Sequence, residues 1–525
     1  MEKLNFFTKI KSYYLLIIIG LSFITRFIFF GHPNEIVFDE VTFGKFMQSM
    51  WRGEYYFDLH PPLGKLLLYL GYSFFNPDLS FTYDKIGTPF IDSTFIGMRL
   101  LTTTAGFFIP IFVYSILDTI QPYKLVAFLG AFLVIFENSG IVVSRFFMFD
   151  IFLLFFMFGS LALFFKLKLS SAEKIYDYNR KEWLQWVGVS ILATATFSIK
   201  WTGFSILGFL VLYEWIESYK KSNWFFFCKK IVVLILVSFS FYYLQFMIHF
   251  QMLPKGGMGN DFMTPQFQRS LKGSRFENYS QFEELSTVQK FLELNHMMSA
   301  YHKTMNQTHP YASTAIDWLT LKRPIYYWEK GPLENKARIY SLGNPLTWWL
   351  GAISILIIIQ KVFLNSKKNL LLFLNSAENY KSHKLIVNDK KNGVKSKNLY
   401  KDKKNYNSKK SEPAILGDSS LILNKESIFN PDFIILILFC ANFVPFFFIG
   451  RVMFIYHYMP ALTFSLMSLA ILFGGFLDKL RLNWLYLFFF FILVVGVFLF
   501  FSPLTYGFPL TAESYKLRIW IQSWI

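Results

Sequence analysis

The chain has 525 residues, 54% hydrophobic and 21% aromatic with only 16% charged, which is more apolar material than a soluble core of this length needs and excludes a soluble globular protein. Its net charge of +18 raises nucleic acid as a partner, but the basic residues gather in short stretches between apolar runs, the pattern of a membrane protein that keeps its positive charge on one side. Two cysteines, Cys228 and Cys440, fall in or beside apolar runs and imply no disulfide framework.

Lys3, Lys9 and Lys11 precede an apolar stretch that reaches Phe30, too long for a signal-peptide core and without a small-residue cleavage site, so a retained first span is expected. About twenty apolar residues cross roughly 30 Å of hydrocarbon. Measured against that length, the sequence predicts about eleven spans, near 13–30, 95–116, 123–141, 147–166, 183–199, 203–217, 230–248, 345–362, 431–450, 453–474 and 483–501. The predicted fold is therefore an all-α polytopic membrane protein. Connections 31–94, 249–344 and 363–430 are long.

With a cytosolic N-terminus, the basic stretches Lys166 to Lys181, Lys220 to Lys230, Lys361 to Lys425 and Lys479 to Arg481 all share the cytosolic side. Segments 31–94 and 249–344 and the tail after Phe501 then lie on the opposite face. Residues 363–430, rich in Lys, Asn and Ser, predict a disordered basic loop that divides a transmembrane region, 1–362, from C-terminal helices and tail, 431–525.

Ionisable residues converge on that opposite face. Asp39 and Glu40 follow the first span, Asp58 and His60 lie in the same loop, and Arg99 opens the second span. Glu137 ends the third, Arg145 and Asp150 flank the turn into the fourth, Lys200 closes the fifth, and Arg451 and His457 bracket the turn between the ninth and tenth. Charges at a membrane are expensive and default to a functional hypothesis. Adjacent Asp39 and Glu40 are either solvated and idle or placed for chemistry. Arg99, Arg145 and Lys200 either snorkel to headgroups or neutralise a phosphate, in which case Asp39 can act as general base toward a hydroxyl. No His and carboxylate pair at helical spacing predicts a metal site.

Several segments, in order, resemble the eukaryotic dolichyl-phosphate-mannose protein O-mannosyltransferases. These are Phe38-Asp39-Glu40-Val41, Asp58-Leu59-His60-Pro61-Pro62-Leu63-Gly64-Lys65, Glu137-Asn138 with Ser144-Arg145-Phe146, and Ser198-Ile199-Lys200-Trp201-Thr202-Gly203. The series continues through Gly257-Met258-Gly259-Asn260-Asp261, Gly343-Asn344-Pro345 and His457-Tyr458-Met459-Pro460. The resemblance implies a GT-C type glycosyltransferase of the endoplasmic reticulum membrane, N-terminus cytosolic and C-terminus luminal. It would move mannose with inversion from dolichyl phosphate mannose to Ser or Thr of proteins entering the lumen. It also implies catalytic roles for Asp39 and Glu40, donor-phosphate binding by Arg99, Arg145 and Lys200, and shaping of the site by Asp58, His60, Glu137, Asn344 and His457. No cofactor is implied; the partners would be the lipid-linked donor, acceptor proteins, the membrane and a second family member in a homo- or heterodimer, with no nucleic acid.

Thr42 stands where the family usually has His, and Asn260 where an Asp is usual. Segment 249–344 is too short for the β-trefoil MIR domain that most members carry, so short helices over the site are expected there. Another polyprenyl-phosphate-sugar transferase, a non-catalytic partner subunit and a transporter are the competing readings.

Overall fold

The computed structural model describes residues 13–121, 123–171, 177–304, 308–365, 367, 430–480 and 483–524. Lys3, Lys9, Lys11, Arg481 and residues 368–429, where the basic loop is predicted, lie outside the described residues.

The helices in chain order begin with α1 (Tyr14–Phe27), α2 (Glu40–Arg52), α3 (Leu63–Tyr72), α4 (Thr94–Ile120), α5 (Lys124–Ile135), α6 (Asn138–Arg145) and α7 (Asp150–Ser170). They continue with α8 (Arg180–Ile199), α9 (Phe204–Lys221), α10 (Trp224–Met252), α11 (Pro265–Arg269), α12 (Thr287–Thr304) and α13 (Ala315–Leu319). After α14 (Pro345–Asn365) come α15 (Pro431–Phe443), α16 (Met459–Leu480), α17 (Asn483–Tyr506) and α18 (Ala512–Lys516). A helix occupies each of the eleven predicted spans, and the molecule is a multi-pass membrane protein. The count of eleven crossings is not established: among the described residues seven helices are long and apolar enough, or eight if α5 and α6, bent by 61°, form one span. The first span is a helix of only 14 residues, while α8 starts on Arg180, Lys181 and Glu182 and α9 carries Glu214 and Glu217.

Helix α4 lies at the centre of the bundle, packed on α1, α3, α5 and α7, with α8 behind α7 and α16 against α5 and α15. The α3–α4 crossing depends on Gly71 and Gly97, because a Cβ at either would sit 2.6 Å or 2.1 Å from the other's carbonyl oxygen. On the basic side, Lys168 and Lys230 are buried rather than solvated. Lys168 Nζ lies 2.5 Å from both Glu214 and Glu217, and Lys230 also bonds Glu214, so these charges join α7, α9 and α10.

The three segments predicted on the opposite face do meet. Tyr55 N donates to Lys255 O at 2.8 Å, joining the first long loop to the second. There Gly259 passes so close that a Cβ would lie 2.3 Å from Phe57 N. Asn260 accepts from Gly257 N at 3.0 Å and so closes this turn without needing a charge, while Thr42 is exposed. Helices α11 and α13, of five residues each, match the expectation of short helices, whereas α12 runs for 18 residues and a hairpin was not foreseen. Strands β1 (Ile325–Lys330) and β2 (Asn335–Ser341) pair antiparallel, and β3 (Pro509–Thr511) from the C-terminal tail adds to β2. The aromatic run Ile325-Tyr326-Tyr327-Trp328 followed by Gly331, at φ 98°, is a strand-and-turn signal that the helical reading passed over. The all-α body thus carries one small three-stranded sheet.

Lys361 near the end of α14 forms an ion pair with Asp432 at the start of α15, so the chain leaves and re-enters the fold at neighbouring points. Replacing residues 368–429 by a flexible linker of about ten residues should leave the fold intact, since the Lys361–Asp432 pair already holds the flanking helix ends together. The check is thermal unfolding in detergent, where the shortened protein is expected within a few degrees of the full chain.

Candidate active site

The Asp39-Glu40 pair opens α2, and its two carboxylates have opposite fates. Glu40 is fully buried and grips Arg99 through a fork, with Nε at 2.9 Å and Nη2 at 2.7 Å from its two oxygens. It also accepts from Val37 N at 2.9 Å and Phe147 N at 3.2 Å, which ties the loop before α2 to the turn before α7. The remaining Arg99 donors go to the carbonyls of Gly31, Pro33 and Glu35 at 3.1, 2.6 and 2.8 Å, and its guanidinium lies 4.9 to 5.3 Å from the rings of Phe146, Phe95 and Phe90. All five N–H donors of an arginine are thereby used inside the protein. Arg99 was expected to hold a phosphate; in the fold it has no donor left for one.

Asp39 is partly exposed and has no protein hydrogen-bond or ion-pair partner among the described residues. Burial pushes its carboxyl up to about 7, with Asp150 and Asp58 adding to the rise and Lys200 opposing it. The preceding Phe38 takes a left-handed conformation at φ 44°, stacks on Tyr327 of β1 at 4.5 Å, and donates its N–H to Tyr327 O at 3.2 Å. The hairpin therefore fixes the backbone from which Asp39 projects.

Lys200, in the turn between α8 and α9, donates to Asp150 at 2.5 Å and sits 5.1 and 4.9 Å from the rings of Phe149 and Tyr456. With Asp150, Asn442, Tyr456 and His457 it lines a cavity of about 50 Å³ whose remaining wall is largely apolar. Asp58 pairs with Lys65 at 2.5 Å, and Lys65 also donates to His60 O at 2.5 Å. Burial, then Lys200, Lys65 and Arg451, hold the His60 imidazole well below its ordinary range, so it is neutral at pH 7. Its ring lies 5.3 Å from Phe149 and 5.8 Å from His302.

Other predicted residues stand apart from this recess. Arg145 is buried and donates to the carbonyls of Thr505, Phe29 and His32 at 2.8 to 3.1 Å, bracing the first and last spans. Glu137 caps α6, accepting from Ser139 N at 3.2 Å and Gly140 N at 2.5 Å, and it also accepts from Asn344 N at 3.3 Å beside the start of α14. Asn344 donates to Phe136 O and Val494 O at 3.1 and 3.2 Å. These three residues brace the frame of the site.

Sequence reasoning gave no role to two arginines. Arg26, inside the first apolar run, donates to the carbonyls of Gly106, Val134 and Ile135 and so caps the end of α5, opposite Glu137 at the start of α6. A lone charge in Ser22-Phe23-Ile24-Thr25-Arg26 was the available signal. Arg451 has no protein hydrogen-bond or ion-pair partner among the described residues, yet it acts electrostatically on His60, His302 and His457. Asp150 and Tyr456 of the cavity wall act on it in turn.

A helical bundle with large loops folded over a polar recess is a multi-pass membrane fold of the GT-C type. Residues 16–254 match the family described as dolichyl-phosphate-mannose-protein mannosyltransferase, and residues 287–387 and 418–524 match the C-terminal four-span region of protein O-mannosyltransferase. The chain belongs to the protein O-mannosyltransferase family. Among its relatives, dolichyl-phosphate-mannose protein mannosyltransferase 1 of Candida albicans is 31% identical over 289 residues, covering 50% of this chain and 31% of that protein. Mannosyltransferase 4 of the same organism is 30% identical over 274 residues, covering 50% of this chain and 36% of that protein. The chain thus spans about a third of the length of these relatives. The fold is similar to that in the Saccharomyces cerevisiae protein O-mannosyltransferase Pmt1-Pmt2 complex bound to the sugar donor, with a TM-score of 0.76, 18% identity, and coverage of 98% of this chain and 92% of the other.

Removing Arg99 leaves Glu40 buried and unpaired, a loss of about 3–5 kcal/mol. Arg99→Ala should therefore lower thermal stability in detergent, and Arg99→Lys should restore little because an ammonium cannot reproduce the fork. A substrate effect at unchanged stability would contradict this role.

Proposed function

We propose that this chain is a membrane enzyme of the endoplasmic reticulum that transfers mannose, with inversion, from dolichyl phosphate mannose to Ser or Thr hydroxyls of proteins in the lumen. The observation that carries the reading is Asp39, an acid without a protein partner among the described residues, poised near neutrality and acted on by Lys200. In the transfer, Asp39 takes the proton of the acceptor hydroxyl as its oxygen bonds the anomeric carbon of mannose. The bond from that carbon to the phosphate oxygen breaks, and its electron pair leaves with dolichyl phosphate. An inverting displacement needs only this one base opposite the leaving group, and the phosphate leaves readily where positive charge receives it.

Spare donors select the phosphate ligands. An ammonium has three N–H groups and Lys200 commits one to Asp150, while Arg451 commits none of its five. Arg145 and Arg99 serve the frame, and Glu40 acts by holding α2 in register, not by touching substrate. The apolar part of the wall beside Lys200 suits contact with a lipid donor. The mannosyltransferase names of its relatives support this reading, as does the heteromeric Pmt1-Pmt2 neighbour. We infer pairing with a second family member, with N-terminus cytosolic and C-terminus luminal.

Asp39→Asn should lower mannosyl transfer to a Ser/Thr peptide by roughly 10²–10⁴-fold, the range of a lost general base. Because the base must be ionised and its folded pKa lies at about 7, kcat/KM should fall tenfold per unit as pH drops below that point and level off above it. A flat profile between pH 5 and 8 in the wild type would remove Asp39 from this role.

Arg451→Met should raise KM for the lipid donor about tenfold or more while KM for the peptide stays within twofold, as expected for a lost charged hydrogen bond to phosphate. Steady-state kinetics with each substrate varied in turn provide the check. A change confined to the peptide would assign Arg451 to the acceptor.

A further inference from the structure

A second polar cavity of about 10 Å³ is lined by Tyr56, Asp58, His60 and Lys65 of the first long loop, His249 of α10 and apolar side chains of α10 and α12. Two residues of this lining carry a buried polar atom with no protein partner among the described residues: the Tyr56 hydroxyl and His249 Nδ1. Both residues are deeply buried, at 1% and 4% exposure, and their rings meet edge to face at 5.5 Å. Leaving either group unmatched costs desolvation that no bond returns, and native interiors rarely tolerate two such groups close together. The volume is that of one water, and a buried water needs two to four polar partners, which this cavity supplies. Lys65 adds a third candidate partner, since it spends two of its three N–H groups on Asp58 and His60 O.

We propose that Tyr56, His249 and Lys65 enclose a binding site for a single water molecule that locks the first long loop onto the loop-face end of α10. Tyr56 and His249 are then positioning residues. The water holds the Lys65–Asp58 pair and, through Lys65, the backbone at His60. Asp58 is one of the charges that act on Asp39. Loosening the pair therefore reaches the catalytic base without touching substrate. This inference goes beyond the proposed transfer but is read out through it.

The test uses the full-length wild type together with Tyr56→Phe, His249→Leu and His249→Gln, the last keeping an amide toward the cavity. Wild-type mannosyl transfer is measured first, and its absence would reject the proposed function and not the cavity. With transfer present, a high-resolution map of the wild type is expected to show density within hydrogen-bond reach of Tyr56 Oη and His249 Nδ1, absent from Tyr56→Phe and His249→Leu. The acidic limb of kcat/KM should move by half a pH unit or more in those two variants and return toward wild type in His249→Gln. A wild-type cavity closed by direct protein contacts to Tyr56 and His249 would overturn the water site. Density present with an unmoved limb in both Tyr56→Phe and His249→Leu would overturn the positioning role.

Discussion

The fork between Arg99 and Glu40 is the constraint on which the site depends. Both groups are fully buried, and an ion pair taken out of water is stabilising only when its remaining donors and acceptors are matched. Here each match comes from a different part of the chain: the carbonyls of the segment after α1, the amide of Val37 before α2, and the amide of Phe147 before α7. One pair thereby sets the distance between the first loop, the second span and the start of α7. Because Glu40 is held inward, its neighbour Asp39 is turned outward by the geometry of the helix start.

Charge alone does not separate working residues from bracing ones, but unused hydrogen-bonding capacity does. Arg99 spends its donors on Glu40 and loop carbonyls, Arg26 and Glu137 meet helix ends, and Arg145 gives its Nη groups to three carbonyls, leaving its buried Nε without a partner. The broken span between α5 and α6 shows the logic: Arg26 meets the carbonyl end of the first half and Glu137 the amide end of the second, as the helix dipole favours. Among the described residues Asp39 and Arg451 lack protein partners, and Lys200 keeps two donors.

This distinction also marks how far the sequence could be read. Helix positions followed from the length of apolar runs, and the face of the site followed from where basic residues were absent, because both are one-dimensional signals. The importance of Asp39 was legible for the same reason, being an acid just past a span. Partner choice was not legible, since it depends on contacts between residues as distant as Arg145 and Thr505. Lys168 and Lys230 lay in stretches read as positive charge of the cytosolic side, yet both are buried against glutamates of α9. The hairpin 325–341 was hidden by an expectation of helices, although its aromatic run and glycine turn carried the period of a strand.

The hairpin matters because the base must be both insulated and reachable. Tyr327 shields the backbone at Phe38, and that partial burial, more than any single neighbour, raises the carboxyl of Asp39. A base with an ordinary carboxyl pKa would be ionised but too weak to draw a proton from an alcohol as the bond to mannose forms. One raised to about 7 is stronger and still ionised in half or more of the molecules at neutral pH. During the proposed transfer, negative charge leaves Asp39 as it accumulates on the phosphate, so the carboxyl that burial and its acidic neighbours keep basic gives up its charge as Lys200 and Arg451 receive it on the leaving group.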